Sequence, residues 1–131
     1  MPTYIDWNLR RTTQVVEKGW GREIIFTNTD KYTGKLLEFH EVGKLSMHFH
    51  IKKDETWYVV KGKFMLSSID PKTAEETNVE LNVGDVIHLP PGVVHRLFAY
   101  EDSTIFEVST PDDPEDSYRI KPGDSQAEKK S

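Results

Sequence analysis

Four residues of this 131-residue chain have the types and spacing of a metal site: His48, His50, Glu55 and His95. In an extended strand, residues i and i+2 share a face. His48 and His50 in "SMHFH" therefore present their imidazoles together. Glu55 follows the bend "IKKD", where the next strand could return a carboxylate to the same point. His95 comes after the turn Pro90-Pro91-Gly92, which reverses the chain and could deliver a third imidazole. Three neutral imidazoles and one carboxylate suit a single divalent ion (Zn, Mn, Fe, Co or Ni), with positions open for water or substrate. Singly, each residue has a plainer reading as a solvated or packed strand residue. His40 and His88 have no partner at ligand spacing and are read in that ordinary way.

A second set bears on what such an ion would act upon. Glu107 in "STIFEVST" is a carboxylate inside an apolar run. Facing a cavity, it would be a candidate catalytic base whose pKa burial should raise toward the working pH. On an edge strand it would simply face solvent. Lys52, Lys53 and Arg119 are candidate contacts for an anionic group, the bland alternative being solvated surface charges. Arg96 directly follows His95, so alternation sends it to the opposite face. Trp57 and Val59 share the parity of Glu55 and are expected on the cavity wall, with Leu97 and Ala99 packed beyond His95.

The elements that must position these residues are strands. "EIIFTN", "KLLEFHEV", "TWYVVKGKFMLSSI", "NVELNV", "DVIHLP", "HRLFAY" and "TIFEVS" are short apolar or alternating runs separated by Gly, Pro, Asn and Asp. No apolar pattern at helical spacing is long enough for a substantial helix. Such a chain is all-β, a sandwich or a barrel. The expected organisation is an N-terminal arm over 1–17, a barrel over 18–111 and a polar tail over 112–131, disordered in its last dozen residues. The longest surface loop is expected from Asp70 to Asn78.

Composition narrows the classes. A net charge of −5 lacks the basic face of a nucleic-acid binder. No apolar run has the length of a membrane span or a signal peptide. The absence of cysteine removes disulfides and thiolate sites and fits a reducing compartment, so a cytoplasmic protein is expected. Tyr4, Ile5 and Trp7 give the arm apolar anchors suited to a partner chain, and the expected assembly is a homodimer.

Taken together, the two histidine segments resemble the paired motifs of the cupin superfamily, G-x5-HxH-x3-4-E-x6-G and G-x5-PxG-x2-H-x3-N. The first is met by Gly43, His48, His50, Glu55 and Gly62, with its opening spacer one residue short. The second is met by Gly84, Pro90, Gly92 and His95, with Ala99 where asparagine is usual. The resemblance implies a double-stranded β-helix, or jelly-roll, barrel with the four ligands around one metal ion.

"KGWGREIIF", "KLSMHFHIKKDETWYVVKGK" and "VIHLPPGVVHRLFAYEDSTIFEVSTP", with "SYRI" beyond, are most similar to the cupin domain of type II phosphomannose isomerases. That likeness implies a small sugar or sugar phosphate as ligand and aldose–ketose isomerisation as reaction; from its place on the wall Trp57 could stack on a sugar ring, core packing being its plainer role. An Fe-dependent dioxygenase and a non-catalytic sugar-binding cupin are the alternatives. Three features depart from that family's pattern. His48 stands where those enzymes often carry glutamine, Lys53 where they carry arginine, and the segment after Pro111 is shortened. Lysine keeps the charge at that position but loses bidentate geometry.

Overall fold

The computed structural model describes residues 3–126. Eleven strands follow in order: β1 (Gln14–Lys18), β2 (Gly21–Asn28), β3 (Thr33–Phe39), β4 (Met47–Phe49), β5 (Glu55–Lys61), β6 (Lys63–Ile69), β7 (Glu76–Asn82), β8 (Val86–Leu89), β9 (His95–Ala99), β10 (Ser103–Ser109) and β11 (Tyr118–Lys121). They form two antiparallel sheets, ordered β1-β2-β3-β10-β5-β8 and β11-β4-β9-β6-β7. The two packed sheets are the jelly roll that the motifs implied.

Three strands go beyond the runs readable in the sequence. β1 adds Gln14–Lys18 to the edge of the larger sheet. β4 is only three residues long. β11 comes from the charged C-terminal segment, where Tyr118 and Arg119 pair with Phe49 and His48. The expected disorder of the last dozen residues is therefore corrected for Ile120 to Gln126. Beyond β11, Asp124 exchanges two backbone-anchored bonds with Lys44, and Ser125 accepts from the Gly19 N–H. Residues 127–131 lie outside the described part. Between Asp70 and Asn78 the expected loop is shorter, because β7 begins at Glu76.

Strand alternation grades the inner face of the larger sheet row by row. Leu37, Ile105 and Val59 stand in register across β3, β10 and β5 and are buried. They join Trp20, Phe39, Phe64, Leu97 and Ala99 in one core. Two residues along, the row changes character to Lys35, Glu107 and Trp57. Two further along it reads Thr33, Ser109 and Glu55. The core thus gives way to a polar floor within one sheet, and there the site forms.

The outer face of the same sheet is apolar along another row. Val15, Ile24, Leu36, Phe106, Tyr58 and Val86 stand in register across all six strands. Phe26 packs beside Phe106, their ring centroids 5.5 Å apart. Val15, Phe26, Tyr58 and Val86 are exposed.

Candidate metal centre

Register brings the histidines together. His48 on β4 pairs directly with His95 on β9. His50 lies two residues beyond His48, and each of the three rings offers a nitrogen within 4.8 Å of the others. One hydrogen-bond pattern repeats in all three. Nδ1 of His48 faces Ser46 O at 2.8 Å, Nδ1 of His50 faces Asp116 O at 2.8 Å, and Nδ1 of His95 faces Val93 O at 2.9 Å. A carbonyl oxygen can only accept, so each Nδ1 carries the proton and each Nε2 keeps a free lone pair.

Burial keeps the rings neutral. It is the main cause that lowers the pKa of His48 to about 3 and of His95 to about 4, and it lowers that of His50 as well. Among the described residues two buried side-chain atoms have no hydrogen-bond partner, His95 Nε2 and Glu55 Oε2, the latter with the Lys53 ammonium beside it at the ion-pair distance of 3.5 Å. Glu55 Oε2 lies 3.5 Å from His50 Nε2, and Glu55 Oε1 lies 3.9 Å from His95 Nε2. Three deprotonated imidazole nitrogens and an orphaned carboxylate oxygen fit a divalent cation, which would satisfy both orphans at once. Cobalt, zinc, iron, nickel and manganese all accept such donors.

His48, His50 and Glu55 form part of the wall of a cavity of about 260 Å³, which also takes in Trp20, Trp57, Lys53, Glu107 and Arg119, whereas His95 is not among its lining residues. Here the sequence expectations sort themselves. Glu107 faces the cavity and not solvent, and it is only 2 % exposed. Trp57 Nε1–H donates to Glu107 Oε1 at 3.0 Å, while Lys53 Nζ lies 3.0 Å and Lys35 Nζ 3.8 Å from Oε2. The expected upward pKa shift is corrected. Burial alone would raise it, but Lys53, Lys35 and the Trp57 donor outweigh burial and hold the carboxyl below its ordinary value.

Arg119 lines the cavity, as does Trp57, whose ring meets that of His95 edge-on at 5.3 Å. Lys53 is buried and points inward, but it is already paired: Asp112 Oδ1 lies at 2.7 Å and Glu55 Oε2 at 3.5 Å. Burial works against its charge, and the carboxylates of Glu107, Glu55 and Asp112 together raise its pKa in spite of that. Lys52 is corrected: its side chain is exposed, and it is not among the cavity residues. Arg96 lies outside the site, as alternation predicts, donating to the carbonyls of Leu45 and Pro122.

The sequence reading missed Lys35 and Asp112. Lys35 is 5 % exposed and Asp112 bridges it to Lys53, with Asp112 Oδ2 2.8 Å from Lys35 Nζ. A lysine in the middle of the buried run "TGKLLEF" was the available signal, the same anomaly that singled out Glu107. Asp116 was missed as well, and nothing in its charged surroundings marked it.

The Cupin family profile matches residues 35–121, and the chain belongs to the cupin family. Over 95 residues it is 28% identical to a mannose-1-phosphate guanylyltransferase of Sinorhizobium fredii (strain NBRC 101917 / NGR234), covering 70% of this chain and 17% of that protein. Among solved structures it resembles the capsular polysaccharide assembling protein CapF of Staphylococcus aureus, with a TM-score of 0.75 at 18% identity over 87% of this chain and 33% of that one. Oxalate decarboxylase of Bacillus subtilis superposes with a TM-score of 0.67 at 20% identity, over 82% of this chain and 30% of that one. The chain thus spans under a fifth of that sequence relative and about a third of those structures, and the structural likenesses concern the fold alone.

Proposed function

We propose that this cupin binds one divalent metal ion and acts on a small sugar or sugar phosphate, with aldose–ketose isomerisation as its reaction. The observation that carries the reading is the convergence of three imidazole Nε2 lone pairs beside a buried carboxylate, with His48, His50 and Glu55 opening onto a polar cavity. His48, His50, His95 and Glu55 would hold the ion, which when bound polarises a carbonyl oxygen of the ligand. Glu107 is the chain's own acceptor for a proton on the neighbouring carbon, kept ionised by Lys53 and Lys35 and oriented by Trp57. Trp57 and Arg119 supply a flat wall and a cation for a sugar ring and its phosphate. The names of the guanylyltransferase and of CapF both refer to sugars, which supports this ligand class. We place the protein in the cytoplasm, in keeping with its lack of cysteine.

One observation favours a second reading, a sugar-binding cupin without turnover. The same lysines that ionise Glu107 also weaken it as a base. An iron-dependent dioxygenase would use the same donor set.

The test is protein loaded with one metal at a time and offered a panel of sugars and sugar phosphates. Isomerisation predicts ketose product and solvent-proton exchange with zinc or manganese. Glu107→Gln should lose the exchange while keeping its metal. Oxygen consumption with Fe(II) points to the dioxygenase, and a thermal shift without product points to binding alone. His50→Ala should lower bound metal per chain, and unchanged stoichiometry would remove the ligand assignment.

A further inference from the structure

The segment Ile51 to Lys53 joins two metal-ligand candidates, His50 before it and Glu55 after it. Its three successive backbone N–H groups all donate to one carboxylate, that of Asp116. Ile51 N reaches Oδ1 at 2.9 Å, Lys52 N reaches Oδ1 at 3.2 Å and Oδ2 at 3.1 Å, and Lys53 N reaches Oδ2 at 3.0 Å. Successive N–H groups converging in this way form an anion-binding nest. Its occupant comes from the chain itself and is 5 % exposed. The backbone carbonyl of the same residue accepts from His50 Nδ1.

We infer that Asp116 is a positioning residue of the metal centre, an inference that rests on the metal reading above. Its carboxylate fixes the course of the chain between His50 and Glu55, and its carbonyl fixes which nitrogen of His50 carries the proton. The other two histidines need no such help. His48 and His95 each take their acceptor from two residues earlier in the chain, Ser46 and Val93, just ahead of their strands. His50 alone depends on a residue 66 positions away. Disturbing Asp116 therefore reaches His50 and the approach to Glu55 and leaves His48 and His95 in place.

Asp116→Asn nearly keeps the shape but turns one acceptor oxygen into an N–H₂ group facing N–H donors. Two of the four contacts are lost with the charge. The full chain is titrated with cobalt(II) against a competing chelator. Separately, ¹⁵N-histidine spectra of metal-free protein read the tautomers. Expected are a cobalt dissociation constant raised about 10–100-fold and a His50 that leaves the single Nδ1–H tautomer while His48 and His95 keep theirs. Asp124→Asn is the control. That carboxylate accepts from Lys44 N at 2.8 Å and fastens the same C-terminal segment without touching residues 51–53.

Unchanged cobalt affinity together with an unchanged His50 tautomer in Asp116→Asn overturns the inference. Equal weakening in Asp124→Asn also overturns it, because general loosening would then suffice. A parent chain that takes up no cobalt sinks the metal reading instead, and the His50 tautomer then decides the role of Asp116 on its own. Asp116→Ser removes the carboxylate without presenting a new N–H₂ group, and it carries the same test if the asparagine variant does not fold.

Discussion

Both ring nitrogens of His40 face carbonyl oxygens, Nδ1 toward Glu41 at 3.0 Å and Nε2 toward Gly19 at 2.9 Å. A neutral imidazole can donate to one of them, and only the imidazolium donates to both. Those two contacts are the main cause of a pKa raised above 6.5. Because the folded value lies above the unfolded one, the ring's stabilisation is complete below about pH 6.5 and is lost as pH rises through the raised value. His40→Gln should thus lower Tm more at about pH 6 than at about pH 8.5. An equal loss at both would contradict the doubly donating ring.

His48, His50 and His95 were legible at this scale because strand alternation and one turn suffice to bring them together. The ionisation of Glu107 was not. It depends on Lys35, in register on β3, and on Lys53, entering from the opposite side.

Among elements, the turns test how far local geometry alone sets stability. Gly62, between β5 and β6, and Gly84, between β7 and β8, both have positive φ, 83° and 93°. They differ in surroundings. A Cβ on Gly84 would meet nothing within 4 Å, whereas one on Gly62 would lie 2.0 Å from Ser103 Oγ and 2.8 Å from the Asp102 carbonyl oxygen. Gly84→Ala should cost about 1–2 kcal/mol, the penalty for a left-handed L-residue. Gly62→Ala should cost more, since Ser103 Oγ would also be driven from its bonds with Lys63 and Glu101. Urea denaturation of the two variants checks the ranking, and equal losses would refute it.

Both turns were readable as glycines between apolar runs. β11 was not, because Tyr118–Lys121 has no buried face and owes its order to the edge of β4. Nothing in its own alternation distinguishes such a strand from a charged tail.

For the molecule as a whole, the six-residue apolar row on the outside of the larger sheet has no cover among the described residues. We propose that a second copy covers it. The arm leaves from β1, the edge of that sheet, and carries Tyr4, Ile5, Trp7 and Leu9 exposed, with Trp7 at 70 %. These side chains are thus exposed rather than packed on their own barrel. A stable complex buries roughly 800 Å² per partner, which is the area that the row and the arm together must supply. Phe106→Glu, in the middle of the row, should give monomer in analytical ultracentrifugation with metal content unchanged. A parent chain already monomeric at micromolar concentration would remove the face as a self-association surface. The sequence named the arm but not the face, because alternate positions reveal an outward row only when the register of all six strands is known.

The reach of Asp116 across 66 residues also sets the order of events as the chain is made. His48 and His50 leave the ribosome early, and at about 5–20 residues per second His50 waits roughly 3–13 s for the carbonyl that selects its tautomer. Until then His50 lacks its acceptor although His48 already has its own in Ser46, and the third imidazole, His95, is also still to come. On the metal reading proposed above, capture of an ion would follow the emergence of His95 and Asp116, and supplying metal after synthesis should load the chain as fully as supplying metal throughout.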